Sequence, residues 1–347
     1  YNEAQVAGWT VQHHDMGLNH LWFGKRRATA AEMAAERRAE AELAACIARH
    51  KGSSDRLSTV VEGCHSLRVS ATFAGPMDFG ADDDEISIAD FNSAADLDPN
   101  YFTKEGYGAL IHHWGADVPV TLSTPVKRVR WDGPGVEVET SGGTVRAKAV
   151  IVTASTGVLA FEEIAFTPDL PEGHLEAIHD LPMGLLTKIP LQIRGARLGL
   201  KPFDDVLIER HARHDLFFLA FPFDLDLMVG FVGGDFAWEL EAAGRAAAVD
   251  FVTDRLVDCF GSEARKAVTH GIMTNWGAER YVRGGYAAAR PGKAHARDVL
   301  SDPVGERIWF AGEALGGGLK QTAAGARLSG EAVGGRVALW LSHQDPA

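Results

Sequence analysis

Apolar residues recur at helical spacing across residues 28–50, where Ala, Leu and Met alternate with Glu and Arg until Lys51-Gly52 ends the run. The pattern predicts a surface helix. A second helical region is expected over residues 58–73, whereas residues 76–95 are polar, acidic and aperiodic, as a connector would be. From residue 118 the period falls to two. Short β-rich runs at 118–122, 126–131, 136–139, 144–147 and 149–153 are separated by Asp132-Gly133-Pro134-Gly135 and Ser141-Gly142-Gly143, which predicts a β-meander leading into a buried strand. Further strands are expected at 185–193, 206–208, 216–221 and 227–232, with a helix over 242–260. No internal repeat or low-complexity tract interrupts this mixed α/β pattern.

The C-terminal stretch carries the strongest sign of chemistry. An apolar strand, Ile308-Trp309-Phe310, stops at Ala311-Gly312-Glu313-Ala314; Gly316-Gly317-Gly318 follows, and then a helix opened by Thr322 and Ala323. Strand, glycine turn and helix in this order present backbone N–H groups and a helix N-terminus to a dinucleotide or flavin. The Gly-x-Gly-x-x-Gly fingerprint that normally opens such a fold occurs nowhere in the chain. A Walker phosphate loop is excluded, since Leu319 breaks the Gly-Lys-Ser/Thr step it needs. Upstream, Lys188 interrupts the apolar run Leu185-Leu186-Thr187-Lys188-Ile189-Pro190-Leu191. A buried ammonium there is costly without partners, and a lysine reaching solvent from a strand end is the other reading.

Composition narrows the class. With 347 residues, 46% hydrophobic and 23% charged, the chain has the make-up of a globular protein with one large domain or two. A net charge of −13 and a pI near 5.5 exclude a nucleic-acid partner, whose phosphates require a basic face. The acidity fits either a funnel for cationic amines or ordinary solubility charge, and Asp82-Asp83-Asp84-Glu85 reads as a solvated loop. Cys46, Cys64 and Cys259 are odd in number and widely spaced, so they read as buried thiols rather than as a disulfide or zinc framework. His13-His14 and His112-His113 lack companion ligand spacing, and no metal is expected. No apolar run is long enough to span a bilayer, and the first residues are not a signal peptide. A cytoplasmic protein without membrane partners is expected, any targeting signal lying upstream.

Seven segments in order resemble the flavin-containing amine oxidases, the monoamine and polyamine oxidase family. They are Glu105-Gly106-Tyr107-Gly108-Ala109-Leu110; Pro125-Val126 with Val129; Ala149-Val150-Ile151-Val152-Thr153-Ala154; Phe166-x-Pro168-x-Leu170-Pro171; Leu181-x-Met183-Gly184-x-x-x-Lys188; Thr274-Asn275-Trp276 with Arg283-Gly284-Gly285-Tyr286; and the C-terminal strand and helix. The resemblance covers residues 100–340 well and residues 1–100 weakly. It implies an α/β fold: a Rossmann-like FAD/NAD(P)-binding domain whose N-terminal βαβ unit is missing, interleaved with an α+β substrate domain. On this reading residues 1–100 and 181–282 form the substrate domain and residues 101–180 and 283–347 the FAD domain.

The same resemblance implies roles. Lys188 would hold a water against the flavin and handle protons, Trp276 and Tyr286 would wall the amine pocket, and Thr322 would stand where monoamine oxidases have a second aromatic wall. Val126 would meet the adenine of FAD, Gly312 and Glu313 the ribityl and pyrophosphate, and Thr322 with Ala323 the flavin pyrimidine edge. Gly285 precedes Tyr286 where some relatives tether the flavin through a Cys, so noncovalent FAD is expected. The implied reaction oxidises a polyamine-type or other amine to an imine, hydrolysed to an aldehyde or ketone, with O2 reduced to hydrogen peroxide. The expected partners are a small-molecule amine, O2, and the missing N-terminal segment or a second copy of the chain. Three alternatives stay open: Trp276 and Tyr286 as plain core aromatics, an L-amino-acid oxidase, and a cofactor-free binding protein.

Overall fold

The computed structural model describes all residues except 15, 16, 18, 53, 64–69, 96–98, 196, 210–215 and 345–347. Thr29 opens the first long helix, Ala30–Arg49, through a capping box in which Thr29 and Glu32 satisfy each other's backbone N–H groups. Its buried stripe, Glu36, Ala39, Leu43 and Ile47, follows helical spacing. Leu43 and Ile47 pack with Leu57, Phe79, Ile86 and Ile88. The region expected to be helical over 58–73 is a helix Ser58–Gly63, residues outside the described set, a short turn Ser70–Thr72 and a π-turn Phe73–Met77. Pro76 sits inside that turn, where its missing N–H and ring oppose a regular α-helix.

The largest sheet has seven strands in the order Val268–Gly271, Leu186–Ile193, Leu227–Gly233, Phe217–Ala220, Asp205–Ile208, His20–Phe23 and Arg26–Arg27. All neighbours are antiparallel except Asp205–Ile208 with His20–Phe23. One face of this sheet buries Ile189, Leu191, Phe218, Met228 and Val232 against Leu240, Val252 and Leu256 of the helices Asp235–Ala243 and Arg245–Phe260. One helix was expected over 242–260; Gly244, at φ +91°, ends the first and caps the second. A left-handed glycine costs little in backbone energy, and the alanines around it hid the break.

The expected meander is present as Val126–Arg130, Val136–Thr140 and Gly143–Ala147, with Ala165–Thr167 added in parallel to the first. Residues 118–122 correct an expectation. They form no strand, and Val118, Val120 and Leu122 are exposed. Pro119 removes a ladder donor from the middle of that run. The strand expected at 149–153 is Val150–Val152, which pairs in parallel with Ile308–Phe310. The helix Ala323–Gln344 covers one face of this pair through Val333, with Val337 and Trp340 alongside. Its other face packs Val152 and Phe310 against Leu159, Ile178 and Leu300.

The acidic connector is more ordered than its composition suggested. Ser87 caps a helix Ile88–Asn92, and both Asp82 and Asp90 are 1% exposed, so the solvated-loop reading fails for Asp82. Cys259 is buried, which pushes its thiol pKa up to about 12; Cys46 is half-buried and Cys64 lies outside the described residues. His14 is buried against Asp205 at 3.2 Å, while His13, His112 and His113 are exposed. Among the described residues no His, Cys, Asp and Glu cluster could hold a metal, and no helix is long and apolar enough to cross a membrane.

Candidate active site

The parallel pair ends at small residues on both strands, and its carboxyl ends open into a crevice of about 240 Å³ lined by Thr153, Ala154, Ser155, Gly312, Glu313 and Ala326, among others. The crevice therefore lies outside the carboxyl ends of parallel strands, the usual ligand position in α/β sheets. Gly312 turns the chain at φ +145°, and its N–H donates to Ser329 Oγ at 3.2 Å, tying the turn to the C-terminal helix. Glu313 follows. Its Oε1 accepts the Ala287 N–H at 3.0 Å, while Oε2 is shut off from solvent without a hydrogen-bond partner. Burial raises the Glu313 pKa, against the Ala287 N–H and the Arg297 charge, which favour the anion. Thr322 Oγ1 donates to Leu319 O at 2.7 Å and accepts the Gly325 N–H at 2.9 Å, which fixes the entry to the helix Ala323–Gln344. The Thr322 hydroxyl thus both donates and accepts within the entry to the helix.

Two further segments carry the remaining expected residues. Tyr286 pairs with Gly184, and its hydroxyl donates to Met77 O at 3.2 Å. Burial, then the charges of Asp78 and Glu313, raise the Tyr286 pKa, so the phenol stays protonated. Lys188 sits across from Phe231 in the large sheet, with Nζ 5.9 Å from that ring's centroid. Phe231 stacks on Phe217 at 4.4 Å, and Phe73 meets Phe217 at 5.5 Å. Among the described residues Lys188 has no carboxylate partner, and burial lowers its pKa. The strand Leu186–Ile193 continues past Lys188, so the lysine is not at a strand end.

The structure thus joins some of the expected residues closely. Glu313 holds the backbone beside Tyr286, and Thr274 exchanges two hydrogen bonds of 2.9 Å with the Lys188 backbone, two residues before Trp276. Trp276 is 48% exposed, so it is not a core aromatic in this chain. Val126 is half-buried in the meander and does not line the crevice, while Ala323 starts the helix whose Ala326 does. Sequence reasoning missed Asp78, an exposed residue whose carboxyl is crowded by surrounding protein, which with the Glu40 charge pushes its pKa up to about 7. It also missed the buried acids Glu241 and Asp90. Their partners are distant in sequence, and only their place in polar stretches was visible.

The crevice suits a flavin nucleotide. Gly312 keeps the turn free of side chain, and the unpaired Glu313 Oε2 is an acceptor waiting for a hydroxyl such as those of a ribityl chain or ribose. A strand, a glycine turn with a buried carboxylate, a capped helix, and an aromatic-lined lysine on a second sheet together define an α/β flavoprotein with a separate substrate side. A family model described as "Flavin containing amine oxidoreductase" matches residues 18–338, and the chain belongs to that family. Its relatives include lysine-specific histone demethylase 1 homolog 2 of Oryza sativa subsp. japonica, 32% identical over 242 residues, 66% of this chain and 31% of that protein. Human lysine-specific histone demethylase 2 is 24% identical over 67% of this chain and 30% of its own length. The chain therefore spans under a third of the length of these relatives. Among solved structures, cyclohexylamine oxidase from Brevibacterium oxydans superposes with a TM-score of 0.77 at 18% identity, covering 98% of this chain and 85% of that one. Putrescine oxidase bound to putrescine gives 0.76 at 16% identity, with 97% and 85% covered. Both likenesses are of fold.

Proposed function

We propose that this chain forms the site of an FAD-dependent oxidation of an amine. The amine and O2 become an imine and hydrogen peroxide, and water then splits the imine into an aldehyde or ketone and a smaller amine or ammonia. The observation that carries the reading is Lys188, a lysine without a carboxylate partner among the described residues, held inside a strand against the Phe231 ring with its pKa lowered by burial. Bound FAD would supply the two-electron acceptor and pass the electrons to O2. Gly312, Glu313 and the start of the helix at Ala323 would hold it, Val126 meeting its adenine, without a covalent link, since Gly285 precedes Tyr286. Lys188 would position a water and take part in proton movement during imine hydrolysis, while Tyr286, Trp276 and Thr322 would line the amine pocket. The same reading assigns residues 101–180 and 283–347 to the FAD side and residues 1–100 and 181–282 to the substrate side. The separate apolar clusters around Phe310 and around Phe218 support that division.

Polyamine-type and alicyclic amines head the candidates, in keeping with the names of the structural neighbours. The 32%-identical relative, named as a histone demethylase homolog, makes N-methylated lysine the second reading. The test is the visible absorption of the purified chain after incubation with FAD and gel filtration, followed by anaerobic addition of putrescine, cyclohexylamine, a methylated-lysine peptide or an L-amino acid. Retained flavin absorbance that one of the amines bleaches is the expected result. Retained flavin bleached only by amino acids, or bleached by nothing, would overturn the proposal.

A further inference from the structure

Glu241 lies on the helix Asp235–Ala243 and is 9% exposed, with no cation paired to it among the described residues. Its carboxylate is nonetheless fully used. Oε1 accepts the Thr187 hydroxyl at 2.7 Å and Oε2 accepts the Gly277 N–H at 2.9 Å. Thr187 is fully buried and directly precedes Lys188. Successive strand residues point to opposite faces, so Glu241 braces the strand from the side opposite the Lys188 ammonium. On the other side of the link, a Cβ on Gly277 would fall 2.9 Å from Oε2 and 2.6 Å from the Trp238 ring, so only glycine lets this turn reach the carboxylate. Beyond the turn, the Gly284 N–H donates to Trp276 O at 3.0 Å, which carries the constraint to the segment of Tyr286.

Burial raises the Glu241 pKa, so a carboxylate here is costly unless all its donors stay in place. An ionised carboxylate only accepts, which matches the Thr187 hydroxyl and the Gly277 N–H that it binds. We propose that Glu241 is a positioning residue. It fixes the Trp276–Gly277 turn against the strand that carries Lys188 and thereby sets the width of the amine pocket, a role that rests on the oxidase reading above.

The experiment compares Glu241→Ala and Glu241→Gln in the full chain loaded with FAD. Gln keeps an acceptor for Gly277 and offers a donor that the Thr187 hydroxyl can accept, so it serves as the conservative rescue. In Glu241→Ala, amide hydrogen exchange over residues 274–285 should rise about tenfold, the equivalent of one lost buried hydrogen bond, while the strand Leu227–Gly233 keeps its protection. KM for putrescine should rise about tenfold with kcat within about twofold, and Glu241→Gln should restore most of both changes. Unchanged exchange in Glu241→Ala overturns the proposal, and so does faster exchange with KM unmoved. A parent protein that oxidises none of the amines sinks the oxidase reading instead, and the exchange measurement still decides whether Glu241 holds the turn.

Discussion

Two residues beside the candidate site work against stability. Lys188 has its pKa lowered by burial, so the folded state disfavours the ammonium relative to the unfolded chain. That mismatch is a penalty present at neutral pH and relieved only as the pH rises toward the lysine's ordinary value of 10.5. Lys188→Met keeps the length of the side chain without the charge; it should raise stability by about 1 kcal/mol in urea unfolding at neutral pH while abolishing amine turnover. A loss of stability would show that the ammonium has a favourable partner. Asp78 carries the opposite charge and the same logic. Its folded pKa is raised from 3.8 to about 7, so its penalty is absent below 3.8, grows through that window and is complete above about 7. Asp78→Asn should therefore match the parent in urea midpoint at about pH 4 and exceed it at about pH 8. Equal midpoints at both values would mean that Asp78 titrates as an ordinary surface acid.

At the scale of elements, the candidate pocket depends on backbones that touch. The π-turn Phe73–Met77 lies directly on the end of the strand Leu227–Gly233, where a Cβ on Gly233 would stand 1.8 Å from Pro76 O. Gly184, beside Tyr286, is held equally close to Phe79 O, with its Cβ position 2.2 Å away. Neither contact can yield by moving a flexible side chain. Gly233→Ala should cost roughly 3 kcal/mol, read as a lowered urea midpoint, and should displace the turn carrying Met77, the acceptor of the Tyr286 hydroxyl. An unchanged midpoint would mean that the turn can lift off the sheet. Contacts of this kind explain what was legible in the sequence. The Thr29 cap, the meander and the C-terminal strand and helix follow local periodicity and local turn residues. So did Lys188, conspicuous as a cation in an apolar strand. The exposed run at 118–122 imitates a strand by composition alone, with Pro119 the only warning. Asp90 sat unremarked in the acidic connector, because its partner Arg297 is 207 positions away. Glu241 was equally hidden, with partners 54 and 36 positions away. A charged stretch reads as solvated until a distant counter-charge is known.

Across the whole molecule, Asp90, Arg297 and Lys320 form a buried polar junction between segments far apart in sequence. Arg297 donates to both oxygens of Asp90 at 2.8 Å, to Ala314 O at 2.6 Å and to Ala287 O at 2.9 Å. Lys320, in the glycine turn, reaches Ser93 Oγ at 2.6 Å and Asp90 at 3.6 Å. One guanidinium thus joins the helix Ile88–Asn92, the strand of Tyr286 and the turn of Glu313. Burial works against the Asp90 charge, but the Arg297 hydrogen bonds and charge, the Ala289 N–H and Lys320 hold its pKa below 3.8. A carboxyl pKa depressed by folding contributes stability above its unfolded value and loses that contribution as the pH falls through the folded one. Arg297→Met strands a buried carboxylate and should cost about 3–5 kcal/mol at neutral pH. The double variant Asp90→Leu with Arg297→Met removes both charges, leaves Lys320 without its counter-ion, and should recover only part of that loss. A fully additive double variant would show that the two residues act separately. Partial recovery would show that the junction works as one unit, so that loosening it at the helix Ile88–Asn92 also shifts the turn that holds Glu313 in the crevice.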